Sequence, residues 1–224
     1  MRLIPTSIRT GPLELHALLG IPERARGWVI FAHGSGSSRR SPRNQQVARA
    51  LLEAGIGALL LDLLTERESL VRENTFDIPL LAERLKSATH WLRTHHAVEG
   101  EPIGYFGSST GAAAALIAAA DLGTRISAIV SRGGRPDLAR ARLRQVRAAT
   151  MLIVGGADSL VLELNRRALL MLPRASIRII EGAGHLFEEP GALEQVGKAA
   201  AAFFRATFQE VSSTAREPPS ARRS

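Results

Sequence analysis

The stretch Gly107-Ser108-Ser109-Thr110-Gly111 places one serine at the centre of a G-x-S-x-G pattern. An apolar run, residues 103–106, precedes it and an alanine-rich run, residues 112–120, follows it. That order reads as strand, tight turn, helix, which holds a serine hydroxyl exposed above a sheet at a helix N-terminus. A serine hydroxyl is a weak nucleophile at neutral pH and needs a neighbouring base. His185 and Asp158 supply the matching types. Each of the three falls just past the end of a predicted strand, the edge of a parallel sheet where ligand sites form. In that arrangement His185 takes the proton of Ser109, and Asp158 fixes the imidazole tautomer and stabilises the imidazolium. A tetrahedral intermediate also needs hydrogen-bond donors for its oxyanion. The N–H of Thr110 is one. The loop His33-Gly34-Ser35-Gly36 is expected to give the other from the N–H of Ser35, with Gly36 as the alternative.

The same residues have plainer uses. Ser109 could be a turn serine and His185 could cap the helix that follows it. Asp158 could N-cap the next helix, a duty compatible with holding His185. His33 lies on the wrong side of the predicted nucleophile and is expected to be structural. His95 and His96 end a helix and suit its dipole there; His16 and His90 receive no role. Arg132 and Arg135 follow a strand end on the catalytic edge, and Arg39 follows the oxyanion loop. These three are the candidates to grip a carboxylate or phosphate on a substrate, since guanidinium groups bind such anions in a bidentate way. The alternative is that they pair with helix ends or nearby acids.

The elements that position these residues follow from apolar patterning. Two extended runs flank Thr10-Gly11-Pro12, a hairpin. Residues 27–32, 56–61, 103–106, 128–130, 151–154 and 177–180 read as strands, several of them continuous apolar runs of the kind covered on both faces. Helices are expected over about 42–54, 76–95, 112–120, 160–172 and 190–208, where apolar residues recur at helical spacing or alanine dominates. Strands alternating with helices give an α/β chain with a mostly parallel sheet between two helical layers. Residues 1–208 form one domain, and the polar residues 209–224, with Pro218-Pro219, are expected to be disordered. Only about twenty residues separate Val130 from Met151, room for a loop and one helix but no large lid.

A chain of 224 residues suffices for such a core. It has no cysteine, which excludes disulfides, thiolate metal sites and a cysteine nucleophile. The formal charge is +8, carried almost wholly by arginine, since only Lys86 and Lys198 are lysines. The arginines are scattered and aromatics make up 4% of residues, too few for base-stacking platforms, so a solvated basic surface is expected rather than nucleic-acid binding. The N-terminus lacks a long apolar core, and no apolar stretch is long enough to span a bilayer. A soluble, cytoplasmic protein without membrane partners is the expectation. Metal-ligand spacing and a dinucleotide fingerprint are both lacking, so no metal or cofactor is expected.

The chain order Ser, Asp, His is that of α/β hydrolases. The chain resembles their dienelactone-hydrolase-like branch, above all the small hydrolase domains found alone or fused to a phosphoribosyltransferase domain. The stretches that carry the resemblance are Phe31-Ala32-His33-Gly34-Ser35-Gly36-Ser37-Ser38, Ser41-Pro42-Arg43-Asn44, Phe76-Asp77-Ile78-Pro79-Leu80-Leu81-Ala82, Gly104 to Ala112, Ser131-Arg132-Gly133-Gly134-Arg135-Pro136-Asp137, and Gly184-His185-Leu186-Phe187-Glu188-Glu189-Pro190-Gly191. The resemblance implies a three-layer α/β/α fold and hydrolase chemistry. It does not imply dienelactone as substrate, because dienelactone hydrolases proper use a cysteine where this chain has Ser109. The expected function is a serine hydrolase of a small ester, thioester or lactone, its substrate neutral or anionic, acting through an acyl-enzyme. The alternative is a non-catalytic module of the same fold that associates with a phosphoribosyltransferase-type partner chain. Oligomeric state is left open.

Overall fold

Strands buried on both faces must be apolar along their whole length, and the central strands are. A computed structural model of the chain describes residues 2–95, 98 and 100–216. In it β3 (Trp28–Ala32), β4 (Gly57–Leu61), β5 (Ile103–Ser108) and β6 (Ala128–Arg132) are buried at every position. With β1 (Leu3–Thr10), β2 (Leu13–Gly20), β7 (Ala149–Gly155) and β8 (Ala175–Ile180) they make one eight-stranded sheet in the order β1-β2-β4-β3-β5-β6-β7-β8. The β1–β2 hairpin turns at Gly11, and β2 joins β4 antiparallel; every other pairing is parallel.

Helices cover both faces. Along each strand the side chains alternate, so Val29 and Phe31 face one layer while Trp28, Ile30 and Ala32 face the other. The first layer holds α1 (Pro42–Glu53) and α6 (Ala192–Arg216), which press Val47, Leu51, Phe204 and Phe208 onto the sheet. The second holds α3 (Ile78–His95), α4 (Thr110–Leu122) and α5 (Ser159–Leu169). Each fully buried Leu or Phe contributes roughly 1.5–3 kcal/mol of transfer free energy. In α4 the first buried face is Ala112 to Ala115, with no exposed surface at all. Methyl side chains there let the helix lie close to β3 and β5, which brings the turn before it to the sheet edge.

The three-layer α/β architecture is as the sequence predicts, and among the described residues no large lid covers the strand ends. Residues between β6 and β7 form the short turns Pro136–Gln145 rather than a regular helix, broken at Arg140 with φ of 46°. Two differences stand out. Residues 63–75, to which the sequence assigned nothing, fold together with Phe76 into a one-turn helix α2 (Glu66–Ser69) and a 3₁₀ turn (Arg72–Phe76), and the next helix starts at Ile78 rather than at residue 76. The last helix also runs past Phe208 to Arg216, so residues 209–216 are helical rather than disordered. Alanine-rich turns feed that extension, and Val211 continues its periodicity. The rest of the expected tail, 217–224, and His96 lie outside the described residues.

Candidate active site

Ser109 sits where β5 stops and α4 starts, at φ 49° and ψ −121°. Such a positive φ is unfavourable for a residue with a Cβ and costs on the order of 1–3 kcal/mol. The neighbouring chain holds it in place. The Ser109 N–H donates to Arg132 O at 3.3 Å, and its carbonyl accepts from Arg135 N–H at 3.0 Å and Ala112 N–H at 3.1 Å. Gly111 is required by packing, since a Cβ there would overlap the carbonyl oxygens of Ala32 and His33.

Asp158 ends the turn after β7 and N-caps α5, its Oδ1 accepting from Val161 N–H at 3.4 Å. Its Oδ2 lies 2.7 Å from His185 Nδ1. The capping and the histidine contact thus coexist on one carboxylate. The carboxylate is mostly buried, while the imidazole is 41% exposed and open to a ligand. With Nδ1–H given to Asp158, Nε2 is the free, proton-accepting nitrogen. Gly133 lies beside His185, and among the described residues no hydrogen bond joins His185 to Ser109. A Cβ on Gly133 would stand 3.5 Å from His185 Nδ1 and 3.2 Å from its carbonyl, and Gly133 follows Arg132, to which Ser109 is bonded.

The oxyanion loop lies against the serine: a Cβ on Gly34 would be 3.0 Å from Ser109 Cβ. His33 anchors that loop from beneath. Its Nε2 accepts from Leu63 N–H at 3.2 Å, which leaves the proton on Nδ1 for the Gly34 carbonyl at 2.9 Å. Burial pushes its pKa below the ordinary histidine value, so the ring is neutral. The structural role expected of His33 is the one its contacts describe. The Ser35 N–H, the expected second oxyanion donor, donates instead to Thr110 Oγ1 at 3.0 Å. Gly36, at φ 69°, has no intramolecular partner for its N–H among the described residues.

The three candidate arginines part company. Arg39 is ion-paired with Asp62, its backbone N–H bonding the same carboxylate. Arg135 is bidentate to Asp137, at 2.9 Å and 2.8 Å. Arg132 is buried and has no carboxylate partner. A pocket of 320 Å³ opens beside the oxyanion loop, lined by Ser35, Ser37, Arg40, Leu64, Thr75 and Leu81 among others. Its far wall is the unforeseen 63–75 segment, linked to the loop by Ser35 Oγ and Thr75 Oγ1 at 3.2 Å. A cleft of 760 Å³ between the β1–β2 hairpin and α3 carries none of the candidate residues. Among the described residues no cluster of His, Asp and Glu has metal-binding geometry, and no helix is long and apolar enough to cross a membrane.

No family model matches the sequence. A solved structure described as dienelactone hydrolase from Anabaena variabilis is 48% identical, with a TM-score of 0.89 over 92% of this chain and 98% of that one. The chain belongs to the dienelactone-hydrolase-like family of α/β hydrolases. More distant members of this hydrolase fold include Est1E from Butyrivibrio proteoclasticus, 15% identical, with a TM-score of 0.78 over 92% of this chain and 99% of that one. A Mycobacterium tuberculosis protein provisionally named a phosphoribosyl transferase is 55% identical over 195 residues, 87% of this chain. This hydrolase-family chain spans only 44% of the length of that relative.

Proposed function

We propose that this chain is a serine hydrolase that cleaves a small ester, thioester or lactone through an acyl-enzyme. The observation that carries the reading is the 2.7 Å bond between His185 Nδ1 and a carboxylate fixed by its own helix cap, on the rim that holds a strained Ser109. Ser109 Oγ attacks the substrate carbonyl as His185 Nε2 takes its proton. Asp158 holds the tautomer and offsets the charge on the imidazolium. The oxyanion is met by the N–H of Thr110 and by the 34–36 loop, where Gly36 N–H is free and Ser35 N–H is shared with the Thr110 hydroxyl. His185 returns the proton to the leaving oxygen or sulfur as its bond to the carbonyl carbon breaks, the alcohol or thiol is released, and water repeats the sequence on the acyl-enzyme.

A pocket of 320 Å³ with Leu64 and Leu81 among otherwise mostly polar lining residues supports a small substrate. A fluorophosphonate probe is expected to label Ser109 and to spare Ser109→Ala, which should also lose turnover of short-chain esters. An unlabelled wild-type chain, folded and inert toward an ester panel, would remove the hydrolase reading. The extra length and the name of the mycobacterial relative favour one second reading, in which this fold acts beside a phosphoribosyltransferase-type partner. A stable complex with such an enzyme, joined to a probe-inert Ser109, is the result that would select it.

A further inference from the structure

Arg132 is a buried cation that the fold leaves without a counter-charge. It is 8% exposed, and its Nε and Nη1 make no hydrogen bond among the described residues. By strand alternation it shares the α1/α6 face with Ala128 and Val130, and there its Cζ lies 5.9 Å from the Phe187 ring. That distance is the outer limit of a cation–π contact and offsets only part of the desolvation. Burial, and then repulsion from Arg43, pull its pKa down to about 10. An isolated buried charge is costly, and buried guanidinium groups are ordinarily paired.

The second observation is Arg43. It stands in the first turn of α1, its Nε also buried without a partner, while Nη1 reaches Glu188 at 2.9 Å. Ser41 Oγ caps that turn by accepting the Asn44 N–H, but the turn holds no acidic residue to offset the positive end of the helix dipole. An open cleft of 370 Å³ beside Arg43 and Phe187 is rimmed by three glutamates, and each is already engaged. Glu188 meets Arg43, Glu189 accepts the Gly184 N–H at 2.9 Å, and Glu194 pairs with Lys198 at 2.6 Å. None is left for Arg132.

We infer that Arg132, Arg43 and the first turn of α1 form a binding site for a compact oxyanion, a phosphate or carboxylate group, between α1 and the loop that carries His185. Guanidinium groups beside the positive end of a helix dipole are the donors and the field such an anion takes. The anion has two sources. It is either a free inorganic ion or the acidic group of a substrate, and the latter rests on the hydrolase reading above.

Inorganic phosphate is the probe, with chloride at matched ionic strength as control. Phosphate should raise the melting temperature of the full chain in a saturable way that chloride does not reproduce, and should do so equally in Ser109→Ala. Arg132→Met should weaken phosphate binding at least tenfold, yet melt no lower than wild type without phosphate, because an unpaired buried charge has been removed. If Arg132→Met does not fold, Arg43→Gln, at a partly exposed helix position, gives the same readout with at least threefold weaker binding. Identical responses to phosphate and chloride, or undiminished phosphate binding in the variants, overturn the site. Kinetics assign the source. Phosphate that raises KM for an acidic ester but not for its neutral analogue places the substrate's acid group there; unchanged KM for both places a free ion there. A chain that binds phosphate through Arg132 but turns over no ester keeps the anion site and loses the hydrolase.

Discussion

Asp158 divides two duties between two oxygens, and the division is testable. Oδ1 caps α5 and Oδ2 holds His185. Asparagine keeps a cap oxygen but cannot accept the Nδ1–H, so Asp158→Asn should lower kcat by about 10⁴, by analogy with the same change in a serine protease. Its stability should stay near that of wild type. Asp158→Ala should lose turnover equally and a further ~1 kcal/mol of unfolding free energy for the missing cap. Urea unfolding of the two variants checks this, and equal midpoints would show that the cap carries no weight. The strand-end positions of Ser109, Asp158 and His185 could be read from the sequence because each follows an apolar strand run, and strand ends are easily located. The partners of the arginines could not. Asp62 lies 23 residues from Arg39 and Glu188 lies 145 residues from Arg43, so nothing local marks which acid meets which base. The bond from Ser35 N–H to the Thr110 hydroxyl, spanning 75 residues, was equally invisible.

At the scale of elements, the loop after β6 is the joint on which the site turns. Arg132 and Arg135 hold the backbone of Ser109, and Gly133 packs against His185. Asn165, fully buried in α5, fastens that loop from behind: its Nδ2 donates to Gly134 O at 3.0 Å and to Val161 O at 2.7 Å. Since α5 is also the helix that Asp158 caps, one amide ties the acid's helix to the serine's clamp. Asn165→Leu keeps the branching at Cγ but strands the buried Gly134 carbonyl, so it should cost about 1–3 kcal/mol. Its kcat should fall with KM little changed, because the geometry of the reacting groups loosens while the substrate pocket stands on other elements. Unchanged unfolding and unchanged kcat would refute the role. Sequence patterning found every strand and long helix, since apolar spacing is a local property. It missed the turns of residues 63–75 because short polar turns have no periodicity; the Thr65 to Glu68 capping box there was a usable signal. It ended α6 too early because polar residues 209–216 stay helical by continuing a helix already nucleated and packed through Phe204 and Phe208.

For the whole molecule, the α/β class was legible because strands covered on both faces must be continuously apolar. The strand order was not, since the position of β4 between β2 and β3 is set by the handedness of the crossover through α1 and not by any residue pattern. The finished sheet buries His33 beneath the oxyanion loop, and that makes global stability depend on pH. Burial lowers the His33 pKa in the folded chain, so below about 6.5 the unfolded chain is the better proton binder. Its contribution is therefore complete above that value and is lost as pH falls from there toward the folded pKa. Glu68 acts lower down. Desolvation opposes its ionisation, but bonds from the Thr65 N–H and hydroxyl and the charge of Arg84 prevail and lower its pKa. Its share is present above the unfolded value of 4.5 and disappears below it. Acid unfolding should therefore proceed in two stages. His33→Asn retains a donor for the Gly34 carbonyl, gives up the acceptor for Leu63 N–H and does not titrate. It should start from a lower plateau at pH 7 and stay flat to pH 5, while wild type declines across that interval. Urea midpoints at half-unit steps decide the matter: a wild-type profile as flat as that of the variant would mean the buried imidazole accepts its proton without disturbing the loop it holds.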